Sequence, residues 1–218
     1  MKIFLTNKCN LNCVYCFKDK RKKEPELNEI IKNINKAKKE VIFKGGEALV
    51  RKEILNLLKY AKLRGLITGI ETNGILLNKK ILKFVNKIYF VLDTIKFEDW
   101  KKITRKSRKD FDKSIKGLRL AKRLGKEIYV DVLLTKLNYN SLRETRNFCK
   151  NLRVRLRVIE NKSLPGFDYN NSINLPISSA KFLGKEVIYI KKPRKNLLNI
   201  KKYRYYKSKV LKKEEKWI

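Results

Sequence analysis

The chain has 218 residues and is strongly basic, with 56 Lys and Arg against 21 Asp and Glu, no His and a formal net charge of +35. Its hydrophobic content of 43% is normal for a globular protein. No apolar run is long enough to cross a bilayer, and the first predicted strand leaves no room for a cleavable leader. We therefore expect a cytoplasmic protein with no membrane partner. The excess of charge favours an anionic substrate such as a nucleotide or RNA, although its even spread along the chain is equally typical of background composition.

Strand-like and helical segments alternate along the first 160 residues. Six strands are predicted, at residues 2–6, 40–44, 67–72, 87–92, 127–134 and 153–159. They are nearly continuous in apolar residues, which is typical of parallel strands covered by helices. The predicted fold class is therefore α/β, a partial (β/α)6 barrel of parallel strands similar to an incomplete TIM barrel.

The helical segments are predicted from apolar residues at helical spacing. The first follows Pro25, which suits a first helical turn. The last begins with Ser141 and Glu144, whose spacing is that of a capping box, and it carries Cys149 on its apolar side. Cys149 is thus expected to be a buried apolar residue.

Three cysteines, Cys9, Cys13 and Cys16, follow the first strand within eight residues. Three thiolates can hold a [4Fe–4S] cluster and leave one iron without a protein ligand, whereas an electron-transfer cluster is normally held by four thiolates. A structural zinc site would need a fourth Cys or His, and the chain has no His. We expect these cysteines to be cluster ligands, with the zinc site, and Cys149 as a fourth ligand, the minor alternatives.

Polar motifs follow the next three strands. They are Gly45-Gly46-Glu47, Thr72-Asn73-Gly74 and Asp93-Thr94. The active sites of parallel α/β sheets lie at the carboxyl ends of the strands, so these motifs and the cysteines are predicted to meet at one edge.

The C-x3-C-x2-C spacing, with Tyr15 before the last cysteine, and the Gly-Gly-Glu motif resemble the radical SAM family. The resemblance implies two cofactors, a [4Fe–4S] cluster and S-adenosyl-L-methionine, and an electron donor such as flavodoxin or ferredoxin. In that family the electron cleaves the sulfonium and gives a 5′-deoxyadenosyl radical. The resemblance also implies that S-adenosyl-L-methionine is bound by six residues, which are Tyr15, Gly45, Gly46, Glu47, Asn73 and Asp93.

Residues 1–165 most resemble the MoaA-like GTP 3′,8-cyclases of molybdenum cofactor biosynthesis. Several family positions differ: no cysteine follows Cys149, so the second, C-terminal cluster is missing, and Ile42 and Tyr129 stand where an arginine and a lysine that bind GTP are expected. Val91 and Ala48 replace a serine and a proline. The cofactor half of the site is thus largely retained and the substrate half largely lost, and no catalytic residue is assigned.

Other functions stay open. A glycyl-radical-enzyme activating protein has a similar short chain with one cluster, and a tRNA-modifying radical SAM enzyme would explain the charge. A non-catalytic iron–sulfur or nucleic-acid-binding protein is the alternative of another class.

Two parts of the chain are distinguished by composition. Residues 1–160 are predicted to form the radical SAM core domain. Residues 161–218 are a C-terminal extension, loop-rich at first, with one strand-like run at residues 187–190 and then a basic and aromatic tail. The tail interleaves lysines with Tyr203, Tyr205, Tyr206 and Trp217. Such a tail could bind nucleic acid, but we expect its aromatic residues to pack over the barrel mouth instead.

Overall fold

The structure is a computed structural model that describes residues 1–16, 23–161 and 187–192, the last eight of these (160, 161 and 187–192) by their backbone alone. The basic and aromatic tail, from Tyr203 to Trp217, lies outside the described residues. The boundary between residues 160 and 161 stays a prediction.

A single sheet of parallel strands forms the framework, and its strand order equals the chain order. This confirms the predicted fold class. The strands are β1 (Lys2–Phe4), β2 (Glu40–Lys44), β3 (Ile67–Thr72), β4 (Lys87–Val91), β5 (Glu127–Leu133), β6 (Arg155–Asn161) and β7 (Val187–Lys192).

The seventh strand extends the sheet beyond the six strands that were predicted for the core. Its backbone pairs with β6 in parallel, from Leu156 opposite Val187 to Asn161 opposite Lys192. The strand-like run in the C-terminal extension therefore continues the sheet. Its apolar, β-branched start is typical of a strand, but the sequence does not say which neighbour it pairs with.

In the described part of the chain, six helices lie between β1 and β6, and their outer faces are polar. They are α1 (Leu27–Lys36), α2 (Ile54–Leu63), α3 (Lys79–Leu82), α4 (Phe97–Thr104), α5 (Arg108–Arg123) and α6 (Leu142–Leu152), with 3-10 turns at Ala48–Val50 and Tyr139–Ser141. None of the described helices is both long and apolar enough to cross a bilayer.

Two predicted helix starts differ from the structure. Pro25 precedes Glu26, the N-cap of α1, and so lies before the first turn instead of within it. Ser141 makes no capping bond to α6, because its hydroxyl is hydrogen-bonded to Thr94 Oγ1, 2.7 Å away. The capping box occurs at α5, between Ser107 and Asp110.

The main core lies between the sheet and the helices. Its largest fully buried side chains come from both layers and include Phe43, Phe90, Leu58, Ile88 and Leu118. Cys149 belongs to this core and is 1% exposed, as predicted, and burial raises the pKa of its thiol to about 12. A thiol in such surroundings is an inert apolar group.

Candidate active site

The cysteine-bearing segment after β1, which we call the cluster loop (described residues 6–16 with 23 and 24), is held at its base by side chains. Thr6 Oγ1 donates to the carboxylate of Glu24, and this bond lowers the pKa of Glu24. Arg51 Nη1 donates to Leu5 O at 2.7 Å and to Pro25 O at 2.9 Å. The two ends of the loop are therefore held together from both sides.

Helix α4 supports the middle of the cluster loop. Asn12 N donates to Thr104 O at 3.2 Å, and Val14 N donates to Ile103 O at 2.9 Å. Cys13 lies between these two anchored residues. The carbonyl groups that α4 leaves unpaired at its end are thus used to position the cysteines.

The three cysteines line one cavity of about 670 Å³, together with Asn7, Lys8, Leu11, Asn12 and Glu24. Cys9 and Cys13 are half-buried, Cys16 is exposed, and none of the three forms a disulfide within the described residues. Among the described residues, no three Cys, Asp or Glu side chains are grouped so that they could hold a single metal ion. The ligands of a cluster bind different irons, so they need not converge on one point.

The two glycines after β2 pack against the start of the cluster loop. Gly46 N donates to Thr6 O at 2.7 Å, and Glu47 N donates to Lys8 O at 2.9 Å. A Cβ atom on Gly46 would lie 2.1 Å from Lys8 O, and one on Gly45 would lie 2.6 Å from Thr6 O. Glycine is therefore required here for contact between two backbones, in addition to any contact with a ligand.

Glu47 is 1% exposed and its carboxylate binds the chain itself. Oε1 accepts from Thr72 Oγ1 at 2.8 Å and from Leu49 N at 3.0 Å, while Oε2 accepts from Asn73 N at 2.8 Å. A carboxylate with several hydrogen bonds tolerates burial. Glu47 thus joins the ends of β2 and β3 and orients Asn73.

Asn73 connects β3 to the cluster loop. Its Nδ2 donates to Asn10 Oδ1 at 2.7 Å, and its backbone carbonyl accepts from Ser114 Oγ of α5 at 2.6 Å. Asn10 Nδ2 is itself buried and has no partner in the described part of the chain. A buried amide without an acceptor is unusual, and this one lies next to Cys9.

Tyr15 and Asp93 meet across the edge of the sheet, where the Tyr15 hydroxyl donates to Asp93 Oδ2. Asp93 is 2% exposed and has a left-handed backbone, with φ of 65°. Burial raises the pKa of Asp93 to about 6, although the bonds from Tyr15 and from Leu133 N oppose the shift. The pKa of Tyr15 is raised well above 10, mainly by burial and to a smaller extent by the charge of Asp93.

Asn138, which belongs to none of the predicted motifs, fixes the backbone of Asp93. Its Nδ2 donates to Asp93 O at 3.0 Å and to Leu133 O at 2.9 Å, and its Oδ1 accepts from Thr135 N at 2.7 Å. The residue is fully buried. A polar residue shortly after the fifth strand is the signal that could have identified it.

The face of the sheet away from the helices carries charged and aromatic side chains. Arg157 makes a bidentate ion pair with Asp131 and lies over the rings of Tyr89 and Tyr129, which stack with centroids 5.3 Å apart. Burial raises the pKa of Asp131 although Arg157 opposes it. Tyr129, which stands where the family's GTP-binding lysine is expected, is thus part of an aromatic stack.

The three cysteines line one cavity, and hydrogen bonds join the cluster loop to the ends of β2, β3 and β4, so the predicted motifs meet at one edge of the sheet. None of the six residues predicted to bind S-adenosyl-L-methionine is among the residues that line that cavity. Residues 3–149 match the Radical SAM superfamily. The chain belongs to this superfamily, whose members are enzymes that use S-adenosylmethionine and an iron–sulfur cluster.

Curated relatives point to one branch of the superfamily. The probable GTP 3′,8-cyclase of Methanocaldococcus jannaschii is 31% identical over 192 residues, which are 79% of this chain and 63% of that protein. Molybdenum cofactor biosynthesis protein 1 of Drosophila melanogaster is 29% identical over 177 residues, 73% of this chain and 31% of that protein. The chain therefore spans less than two thirds of the length of these relatives.

Solved structures share the fold. Streptococcus suis SuiB bound to S-adenosylmethionine has a TM-score of 0.68 at 17% identity, covering 88% of this chain and 50% of SuiB. TYW1 with a lysine-pyruvate adduct bound has a TM-score of 0.61 at 15% identity, covering 89% of this chain and 76% of TYW1.

Proposed function

We propose that the protein is a MoaA-like radical SAM enzyme that holds one [4Fe–4S] cluster through Cys9, Cys13 and Cys16. When bound, the cluster would supply the electron that cleaves S-adenosyl-L-methionine to a 5′-deoxyadenosyl radical. The observation that carries the proposal is the cavity of about 670 Å³ into which the loop places these three cysteines and no fourth. Its cytoplasmic location remains a prediction.

Residues of the cluster loop and of the strand ends bonded to it have definite tasks in the proposal. Asn10 Nδ2, buried without an acceptor in the described part of the chain, would donate to the bound cofactor. Asn73 orients Asn10, and Glu47 in turn orients Asn73. The hydrogen bond from Tyr15 to Asp93 keeps the cluster loop against the end of β4.

GTP is disfavoured as the substrate, because the cations Arg157 and Lys2, on the face of the sheet away from the helices, already lie beside carboxylates. Arg157 binds Asp131, and Lys2 lies 3.6 Å from Glu71. A triphosphate would have to compete with these carboxylates, and it would find Ile42 and Tyr129 where the relatives' family places cations. Similarity to probable GTP 3′,8-cyclases nevertheless makes GTP the first substrate to supply.

Anaerobic reconstitution tests the cluster assignment. We expect about four irons per chain, and release of 5′-deoxyadenosine with dithionite and S-adenosyl-L-methionine. Cys13→Ala should lose the cluster and this product, because each thiolate binds a separate iron. Cys149→Ala is the matched control and should keep full iron content, because Cys149 is buried in the core.

Normal iron content in Cys13→Ala, or wild-type protein that binds iron but releases no 5′-deoxyadenosine, would contradict the proposal. Adding GTP to active protein and looking for the cyclic product then separates the cyclase reaction from other substrates.

A further inference from the structure

A basic corner lies at the end of α4, outside the site described above. Glu98, Ser107 and four cationic side chains line a hollow of about 590 Å³. The four cationic residues are Lys101, Lys102, Arg105 and Lys106. We call these four residues the α4 corner. Three of them are exposed and Lys106 is half-buried.

The α4 corner is adjacent to the cluster loop. The two carbonyls that anchor the loop, Ile103 O and Thr104 O, come from residues between Lys102 and Arg105. Their partners, Val14 N and Asn12 N, lie directly on either side of Cys13. The middle cysteine is therefore linked to the corner by one hydrogen bond on each side.

The charge of the α4 corner is largely uncompensated. Residues 101–109 contain six basic and no acidic side chains. Arg108 pairs with Asp112 at 3.1 Å, but no ion pair within the described residues engages the four cations of the corner. Glu98, one turn earlier on α4, is the acidic residue that shares the hollow.

We propose that the α4 corner is the docking surface for an acidic, one-electron carrier protein of the flavodoxin or ferredoxin type. The inference rests on the proposed function, which requires an electron for each cleavage. One electron leaves the reduced carrier, which is oxidised by one electron, and enters the oxidised cluster. Exposed cations beside the acceptor raise the rate of encounter with an acidic partner and orient it.

The chemistry of the corner favours a protein carrier over RNA. Binding of single-stranded RNA combines cations with exposed aromatic rings on which bases stack. The aromatic residues of α4 do not offer such rings. Trp100 is 2% exposed, and Phe97 packs against Phe111 and beneath Arg108.

The test is a triple charge reversal, Lys101→Glu with Lys102→Glu and Lys106→Glu. Arg105 is kept because it ends α4 with a left-handed φ of 57°. The matched control reverses three exposed lysines that precede β2, by Lys36→Glu, Lys38→Glu and Lys39→Glu. Those lysines lie at the amino end of β2, whereas the cluster loop lies at the carboxyl ends of the strands, and β2 itself is about 13 Å long at 3.3 Å per residue.

Two quantities are measured. The first is the affinity for flavodoxin, from flavin fluorescence at low salt, and the second is the rate at which reconstituted protein oxidises reduced flavodoxin. We expect the α4 variant to bind at least about tenfold more weakly and to react at least about tenfold more slowly, while the control changes about twofold or less. Equal losses in the two variants, or no loss in the α4 variant, would overturn the docking surface. So would loss of binding to total tRNA with flavodoxin binding unchanged.

Dithionite separates this inference from the proposed function. Because dithionite needs no docking surface, the α4 variant should release 5′-deoxyadenosine with dithionite at the wild-type rate. If no variant, including wild type, releases it, then the proposed function fails. If dithionite works equally in all and flavodoxin does not discriminate between the variants, the docking surface alone fails. Circular dichroism and the melting temperature verify that both variants fold.

Discussion

Asp93 combines an unfavourable backbone with an unfavourable environment. Its φ of 65° lies in the left-handed region, and its side chain is 2% exposed. Its pKa is raised from 3.8 to about 6, mainly by burial. Strained and desolvated residues of this kind concentrate at functional sites, so the position of Asp93 beside Tyr15 agrees with a role in the site.

We expect Asp93→Asn to stabilise the cluster-free protein at pH 7. In the wild type, the folded state holds the Asp93 proton more tightly than the unfolded state does. The free energy of unfolding of the wild type therefore falls as the pH rises from about 4 to about 6. A pKa raised from 3.8 to about 6 corresponds to a cost of at most about 3 kcal/mol. Asparagine cannot ionise, accepts left-handed φ and keeps an acceptor for Leu133 N.

Urea unfolding at pH 4 and pH 7 measures this effect. The gain of Asp93→Asn over wild type should be largest at pH 7 and absent at pH 4. Asp112→Asn, which removes an exposed ion pair with Arg108, should change stability by about 0.5 kcal/mol or less at either pH. A gain that is the same at both pH values would show that ionisation of Asp93 is not its cause.

Single residues of the site could be predicted where their chemistry is local. The spacing of Cys9, Cys13 and Cys16 indicates a shared ligand in the sequence alone. The position of Asn138 after the fifth strand is a weak signal, but the tasks of Arg51 and Asn138 could not be predicted, because each binds backbone carbonyls that lie on separate segments. Such contacts depend on the fold and leave no periodic pattern in the sequence.

At the level of the elements, buried parallel strands were predicted well, because each is a short apolar run. Helix α4 was not predicted, since its eight residues offer few apolar positions for a periodic pattern. The same helix carries the carbonyls that anchor the cluster loop. The pairing of β7 with β6 was also not predictable, because a strand's neighbour is decided by long-range packing.

Helix α5 sits against the turn that holds Asn73. Ser114 Oγ donates to the carbonyl of Asn73, and a Cβ on Gly117 would lie 2.3 Å from Gly74 O and 3.3 Å from the Cβ of Leu77. The nearest atom belongs to the backbone, which cannot rotate away. The missing side chain at Gly117 therefore sets how closely α5 approaches β3.

We expect Gly117→Ala to destabilise the protein by about 1 kcal/mol. Alanine gains about 1 kcal/mol in helix propensity, but forcing a methyl group into this contact costs about 1–3 kcal/mol. Thermal or urea unfolding measures the net effect, with the exposed neighbour Lys116→Ala as control, which should change stability by about 0.5 kcal/mol or less. If Gly117→Ala were as stable as Lys116→Ala, the backbone contact would not limit the packing of α5.

For the molecule as a whole, repulsion between like charges exceeds attraction. The 56 basic residues outnumber the 21 acidic ones, so ion pairs can neutralise less than half of the cations. A large net charge opposes the compact state through self-repulsion. Added salt screens repulsive and attractive pairs alike, but the repulsive pairs are more numerous here.

We therefore expect the melting temperature to rise with ionic strength. Between about 10 mM and about 150 mM NaCl the screening length falls from about 30 Å to about 8 Å, which removes most repulsion between distant surface cations. A gain of about 1 kcal/mol would raise the melting temperature by about 2–4 °C for a chain of this size. Calorimetry in NaCl and in Na2SO4 at equal ionic strength separates screening, which depends on ionic strength alone, from anion binding, for which sulfate would exceed chloride. A melting temperature that stays constant or falls in NaCl would mean that specific ion pairs, such as Arg157 with Asp131, outweigh the repulsion.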